Sequence, residues 1–142
     1  MTTDSPPYEP SALIVEDESL IAEELRERLE RFGFRVIATV DSAEEGVCIA
    51  AAERPDLVLM DIRLKGEKDG VEAAIEIRRH VDVPIIYLTA YSDRATLERA
   101  KQAEPYGYVL KPFHERELQV TIELAMHRHS LERRAKEKTE KT

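Results

Sequence analysis

Leu57-Val58-Leu59-Met60-Asp61 is the stretch that most restricts what this chain can become. Four apolar residues follow Pro55 and give way to a polar segment, the pattern of a strand buried on both faces in a parallel sheet covered by helices. Asp61 then stands at the strand's carboxyl end. Open α/β sheets bind ligands along that edge, so a carboxylate there is either a site residue or the first residue of a turn.

The same pattern recurs. Ala12-Leu13-Ile14-Val15 runs into Glu16-Asp17-Glu18, Ile85-Ile86-Tyr87-Leu88 into Thr89-Ala90, and Gly107 to Leu110 into Lys111-Pro112, while Arg35 to Val40 reads as a further strand. Helical patterns fill the gaps. One runs from Ser19 to Phe32 with Ile21, Leu25, Leu29 and Phe32 on one face and Gly33 as its stop. Ser42 with Glu45 reads as a capping box opening a helix to Glu53 that turns Ala43, Val47 and Ala50 inward. Others are expected from Val71 to Arg79, from Asp93 to Ala103 behind a Ser92 cap, and from Glu115 with the stripe Leu118, Ile122, Ala125 and Met126. Residues 1–10 read as a disordered lead-in. Residues 128–142 lack a strong apolar stripe and read as a charged extension of the last helix, solvated or frayed, or as a tail. Five strand–helix alternations with short connections force parallel pairing and right-handed crossovers. The expected fold is α/β, doubly wound, a five-stranded parallel sheet with helices on both faces.

At 142 residues the chain can bury a core without metal or disulfide support. A single cysteine, Cys48, excludes an internal disulfide and falls in a helical apolar pattern, so it is expected to pack. With no apolar signal region and no run long enough to span a bilayer, the chain reads as cytoplasmic, without membrane insertion. The net charge is −8, and residues 128–142 carry six Lys/Arg against three Glu, so the first 127 residues stand at −11. Such a charge argues against a direct nucleic-acid surface on the domain.

In a parallel sheet all strands end on one edge, which gathers Glu16, Asp17, Asp61, Thr89 and Lys111. Singly each has a plain explanation: an acidic helix start, a strand-end hydroxyl, a solvated loop lysine. Together they offer more. Three crowded carboxylates stay ionised only beside a compensating cation, and oxygen ligands with open positions suit a hard ion such as Mg²⁺. An Asp carboxylate can attack a phosphoryl group, with a metal, an ammonium and a hydroxyl neutralising the transferred oxygens.

The segments LIVEDE, LVLMDIRL, IIYLTAYS and GYVLKPF, in that order, resemble the receiver domain of two-component response regulators, the family of the chemotaxis response regulator. The resemblance covers about residues 11–127 and implies a flavodoxin-like sheet of strand order 2-1-3-4-5. By position, Asp61 resembles the phosphoacceptor, Asp17 the direct ligand of Mg²⁺ (or Mn²⁺), Glu16 an acid acting through a metal-bound water, and Arg63 the backbone carbonyl ligand. Lys111 resembles the phosphate-pairing lysine, with a cis bond to Pro112 implied. Thr89 would bond the phosphoryl group, and Tyr108 would be the aromatic switch. The implied partners are a sensor histidine kinase or phosphotransfer protein and a downstream protein target, with a homodimer through the fourth helix, fifth strand and fifth helix as one output.

Two stretches depart from the family pattern. The loop Leu64 to Gly70 is about one residue longer than usual and lacks its proline, and Ala103-Glu104-Pro105-Tyr106-Gly107-Tyr108 adds a second aromatic beside the switch. Tyr106 either shares that role or only packs. Rival readings are a phosphatase on a related fold, which needs a second acid where Arg63 stands, and a phosphorylation-independent interaction module, which would lack part of the site. The chain reads as a single-domain regulator or as the excised receiver of a larger effector or hybrid kinase. His80, His114, His127 and His129 show no ligand-like grouping and read as surface or packing residues.

Overall fold

A computed structural model describes residues 9–90, 94–101 and 105–141. The elements in order are β1 (Ser11–Val15), α1 (Ser19–Arg31), β2 (Arg35–Val40), α2 (Ala43–Glu53), β3 (Leu57–Asp61), α3 (Gly70–His80), β4 (Ile85–Ala90), α4 (Arg94–Lys101), β5 (Gly107–Lys111) and α5 (Glu115–Lys141). All strand pairs are parallel, in the order β2-β1-β3-β4-β5. The fold expected from the sequence is the fold found.

The central strands show why. Along β3 every residue is buried, and alternate side chains enter opposite layers. Leu57 and Leu59 join Leu25 and Leu29 of α1 and Leu118, Ile122 and Ala125 of α5, while Val58 and Met60 join Ala43 and Ala50 of α2 and Val71, Ala74 and Ile77 of α3. A strand apolar on both faces is stable only between two such layers. The chain then leaves β1, β3, β4 and β5 at the same carboxyl edge.

Helix ends follow local chemistry. Gly33, at φ +96°, ends the α1 turn in a conformation that side chains disfavour. Ser42 caps α2 by accepting from Glu45 N–H at 3.2 Å, and the Glu45 carboxylate meets the Ser42 hydroxyl at 3.4 Å. The complete capping box belongs to α3: Asp69 accepts from Glu72 N–H at 3.0 Å, and Glu72 accepts from Asp69 N–H at 3.2 Å.

One expectation is corrected. Cys48 is exposed. The inward row of α2 is Ala43, Gly46 and Ala50, and Cys48 lies about 140° round the helix from Ala43. The last helix runs as 27 residues to Lys141, so of the alternatives offered for residues 128–142 the structure shows the solvated helical extension. Its later turns carry the i,i+4 pair Arg128–Glu132 at 3.2 Å, and His129 bonds Asp82 at 3.0 Å, an acid contact the sequence pattern did not show. Residues 1–8 and the expected Ser92 cap lie outside the described residues. Among the described residues no helix is long and apolar enough to cross a membrane.

Candidate functional site

Four strand ends build one cleft of about 400 Å³, lined by Asp17, Glu18, Asp61, Ile62, Arg63, Thr89, Ala90 and Lys111. Asp61, the last residue of β3, is 5% exposed. Its Oδ2 accepts from Lys111 Nζ at 3.0 Å and its Oδ1 from the Arg63 backbone N–H at 3.1 Å. Both carboxylate oxygens therefore point at groups fixed by the next turn and by β5. Arg63 itself is exposed.

Glu16 and Asp17 leave the end of β1. Glu16 is buried, its Oε2 accepts from Glu18 N–H at 3.1 Å, and its Oε1 lies 2.9 Å from Lys111 Nζ. That lysine approaches off the hydrogen-bond angle, so the buried oxygen has no well-directed donor. Asp17 is half-buried, and carboxylate oxygens of Glu16, Asp17 and Asp61 lie within 4.8 Å of one another.

Burial, reinforced by the hydrogen bond and charge of Asp61, pushes the Glu16 carboxyl up to about 7 despite Lys111. Burial also works against the Lys111 ammonium, but Glu16 and Asp61 outweigh it and hold that pKa above the ordinary lysine value. The site thus has more negative charge than one lysine compensates. Three clustered acids, two of them buried, and an undirected carboxylate oxygen fit a hard divalent cation.

Thr89, at the end of β4, is 3% exposed, and its hydroxyl donates to the Ala90 carbonyl at a long 3.4 Å. Tyr108, on β5, is half-buried, its ring centroid 6.2 Å from that of Tyr87. The Lys111–Pro112 peptide is cis, as the family resemblance implies. Glu16, Asp17, Asp61, Arg63, Thr89 and Lys111 thus meet at this edge, with Tyr108 beneath it.

Tyr106 does not. It stacks edge-on to His129 at 5.6 Å, lies 4.6 Å under the Arg128 guanidinium and donates its hydroxyl to Glu132. It fastens α5 at the opposite edge of the sheet, which resolves its role as packing. Sequence reasoning also missed Asp69, whose Asp-x-x-Glu spacing is a legible cap signal, and Arg99, which pairs with it at 2.6 Å and which no spacing announces.

Comparison with known proteins places the chain in a family of the same fold. The family model described as response regulator receiver domain matches residues 12–123. The transcriptional regulatory protein PdtaR of Mycobacterium tuberculosis is 40% identical over 128 residues, covering 89% of this chain and 62% of that protein. The KDP operon transcriptional regulatory protein KdpE of Escherichia coli is 38% identical over 120 residues, covering 84% and 52%. The chain thus spans between about half and three fifths of the length of these curated relatives. Among solved structures, the signal receiver domain of a modulated diguanylate cyclase from Desulfovibrio desulfuricans superposes with a TM-score of 0.83 at 42% identity, covering 88% of this chain and 99% of that one.

Proposed function

The chain belongs to the response regulator receiver family of two-component systems, and from that premise we propose that it accepts a phosphoryl group on Asp61 and so switches a protein-binding surface. The observation that carries this reading is the buried Asp61 carboxylate at the end of the central strand, bonded to Lys111 and crowded by Glu16 and Asp17. Such a carboxylate is a poised nucleophile facing charged groups that suit a phosphoryl transition state.

An Asp61 oxygen attacks the phosphorus of a phosphohistidine on a sensor kinase or phosphotransfer protein. The new P–O bond forms as the P–N bond breaks, and the departing imidazole keeps the electron pair and takes up a proton. Lys111 moves its charge from the carboxylate to a phosphoryl oxygen, and the Thr89 hydroxyl, weakly engaged at 3.4 Å, is free to turn toward another. A magnesium or manganese ion held by Glu16, Asp17, Asp61 and the backbone carbonyl of Arg63 would offset the charge on the transferred oxygens. The group stays on the chain, so this is a phosphoacceptor and not a turnover enzyme; Arg63 stands where a related phosphatase needs its second acid.

Movement of Thr89 opens space for the half-buried Tyr108 ring and alters the surface of α4, β5 and α5. On that surface Val120 is 44% and Leu124 65% exposed, apolar groups available to a downstream protein or to a second copy of the chain. The reading puts the chain in the cytoplasm with its kinase and needs no contact with nucleic acid. Incubation with acetyl phosphate and Mg²⁺ should label the chain, and Asp61→Asn should abolish labelling. Retained labelling in that variant would sink the assignment.

A further inference from the structure

The loop that follows Asp61 ends on a residue with two tasks. Asp69 caps α3, and its carboxylate also receives both ends of the Arg99 guanidinium from α4, at 2.6 and 3.0 Å. A fork-to-carboxylate pair is directional, because both bonds keep their length only while the two planes stay aligned. Burial raises the Asp69 pKa, but the bonds from Arg99 and the α3 backbone outweigh it and leave the carboxyl below its ordinary value. Among the described side chains of α4, Ala100 alone is buried.

Asp69 is fixed on its own side. The capping box locks it to the first turn of α3, and the next residue, Gly70, lies so close to the strand end that a Cβ there would sit 2.0 Å from the Asp61 carbonyl oxygen. Gly70 N–H also donates to the Ile62 carbonyl at 2.8 Å. The start of α3 is thereby fixed to the backbone of the phosphoacceptor. α4 is attached differently, following Thr89 and Ala90 of β4 across residues 91–93. A pull on Thr89 therefore passes toward α4 while Asp69 stays in place, and the bidentate pair is where the two shear apart.

We propose that the Asp69–Arg99 pair is a latch that holds α4 in the arrangement seen here and that the phosphoryl switch works against it. The proposal rests on Asp61 being the phosphoacceptor. A contact made in one conformer and lost in the other sets their populations, so removing it favours the displaced α4 and strengthens any ligand that selects it.

The test measures beryllofluoride binding, with Mg²⁺, to the full chain and to Arg99→Gln, Asp69→Asn and the double variant. Asn caps helices as well as Asp, so Asp69→Asn removes the charge pair while keeping the cap. Each single variant should bind about 2- to 5-fold tighter, and the double no tighter than either, because one interaction is lost only once. Lys101→Gln, which removes a cation on the same helix paired with Glu98, should change nothing. Hydrogen exchange of α4 amides should quicken in Arg99→Gln without any ligand. Unchanged or weaker binding by Arg99→Gln, additive effects in the double, or unchanged α4 exchange would each overturn the latch while leaving the phosphoacceptor reading intact. Failure of the unsubstituted chain to bind beryllofluoride would overturn both.

Discussion

The two ends of the sheet treat acidic side chains in opposite ways. At the amino end three acids have matched partners: Asp56 accepts from Ser11 N–H at 2.8 Å and from its hydroxyl at 3.2 Å, Asp82 meets His129 at 3.0 Å, and Glu132 takes the Tyr106 hydroxyl. The Tyr106 bond holds the Glu132 pKa below its ordinary value. At the carboxyl end Glu16, Asp17 and Asp61 share one lysine, and Glu16 is pushed up to about 7, chiefly by burial and then by Asp61. At one end these acids are already bonded, and the other end is under electrostatic tension that a cation and a phosphoryl group can relieve. Proteins commonly tolerate such tension where function requires it.

Three substitutions can break or sharpen this contrast. Lys111→Met should have the largest effect, about 3 kcal/mol of lost stability in urea titrations at pH 8, because it leaves buried carboxylates uncompensated. The loss should shrink at pH 5, where Glu16 takes up a proton; a loss independent of pH would mean that charge is not the basis of the tension. Asp56→Ala, at the other end, should cost about 2 kcal/mol by orphaning the Ser11 donors, with phosphoryl labelling of Asp61 preserved.

Glu16→Gln should act in the opposite direction and more weakly. Its folded-state pKa of about 7 lies above the ordinary glutamate value of 4.5, so the folded chain holds the extra proton. Its contribution to stability is complete below about 4.5 and is lost as pH rises through about 7. At pH 8 the Gln variant should therefore be more stable, by on the order of 1 kcal/mol, with no gain at pH 5. Saturating Mg²⁺ should erase the gain, and a destabilised variant at pH 8 would reverse the picture of this edge.

The site was legible because parallel topology turns adjacency in sequence into adjacency in space. Each of Glu16, Asp61, Thr89 and Lys111 directly follows an apolar run, and recognising the runs as strands of one parallel sheet places all four on one edge. The contacts that escaped notice lack such a rule. Arg99 reaches Asp69 across thirty residues, and Tyr106 reaches Glu132 across twenty-six, through side chains alone. Cys48 misled because its apolar neighbours on α2 mask which side faces the sheet. The sequence leaves open the choice between a helical extension and a tail after His127, because the turns there have no apolar stripe and are sustained by local ion pairs and the Tyr106–His129 contact.

That last helix also has a mechanical meaning. From Ser130 to Lys141 it extends past the His129 contact for about 18 Å at an α-helical rise. Treated as a rod pivoting at His129, it moves its tip by about 3 Å for every ten degrees of tilt. A rotation too small to disturb the packing of Leu118 and Ile122 thus becomes a displacement of atomic size at Lys141. Treated so, the helix is a lever whose gain is set by the length of its arm beyond the His129–Asp82 contact.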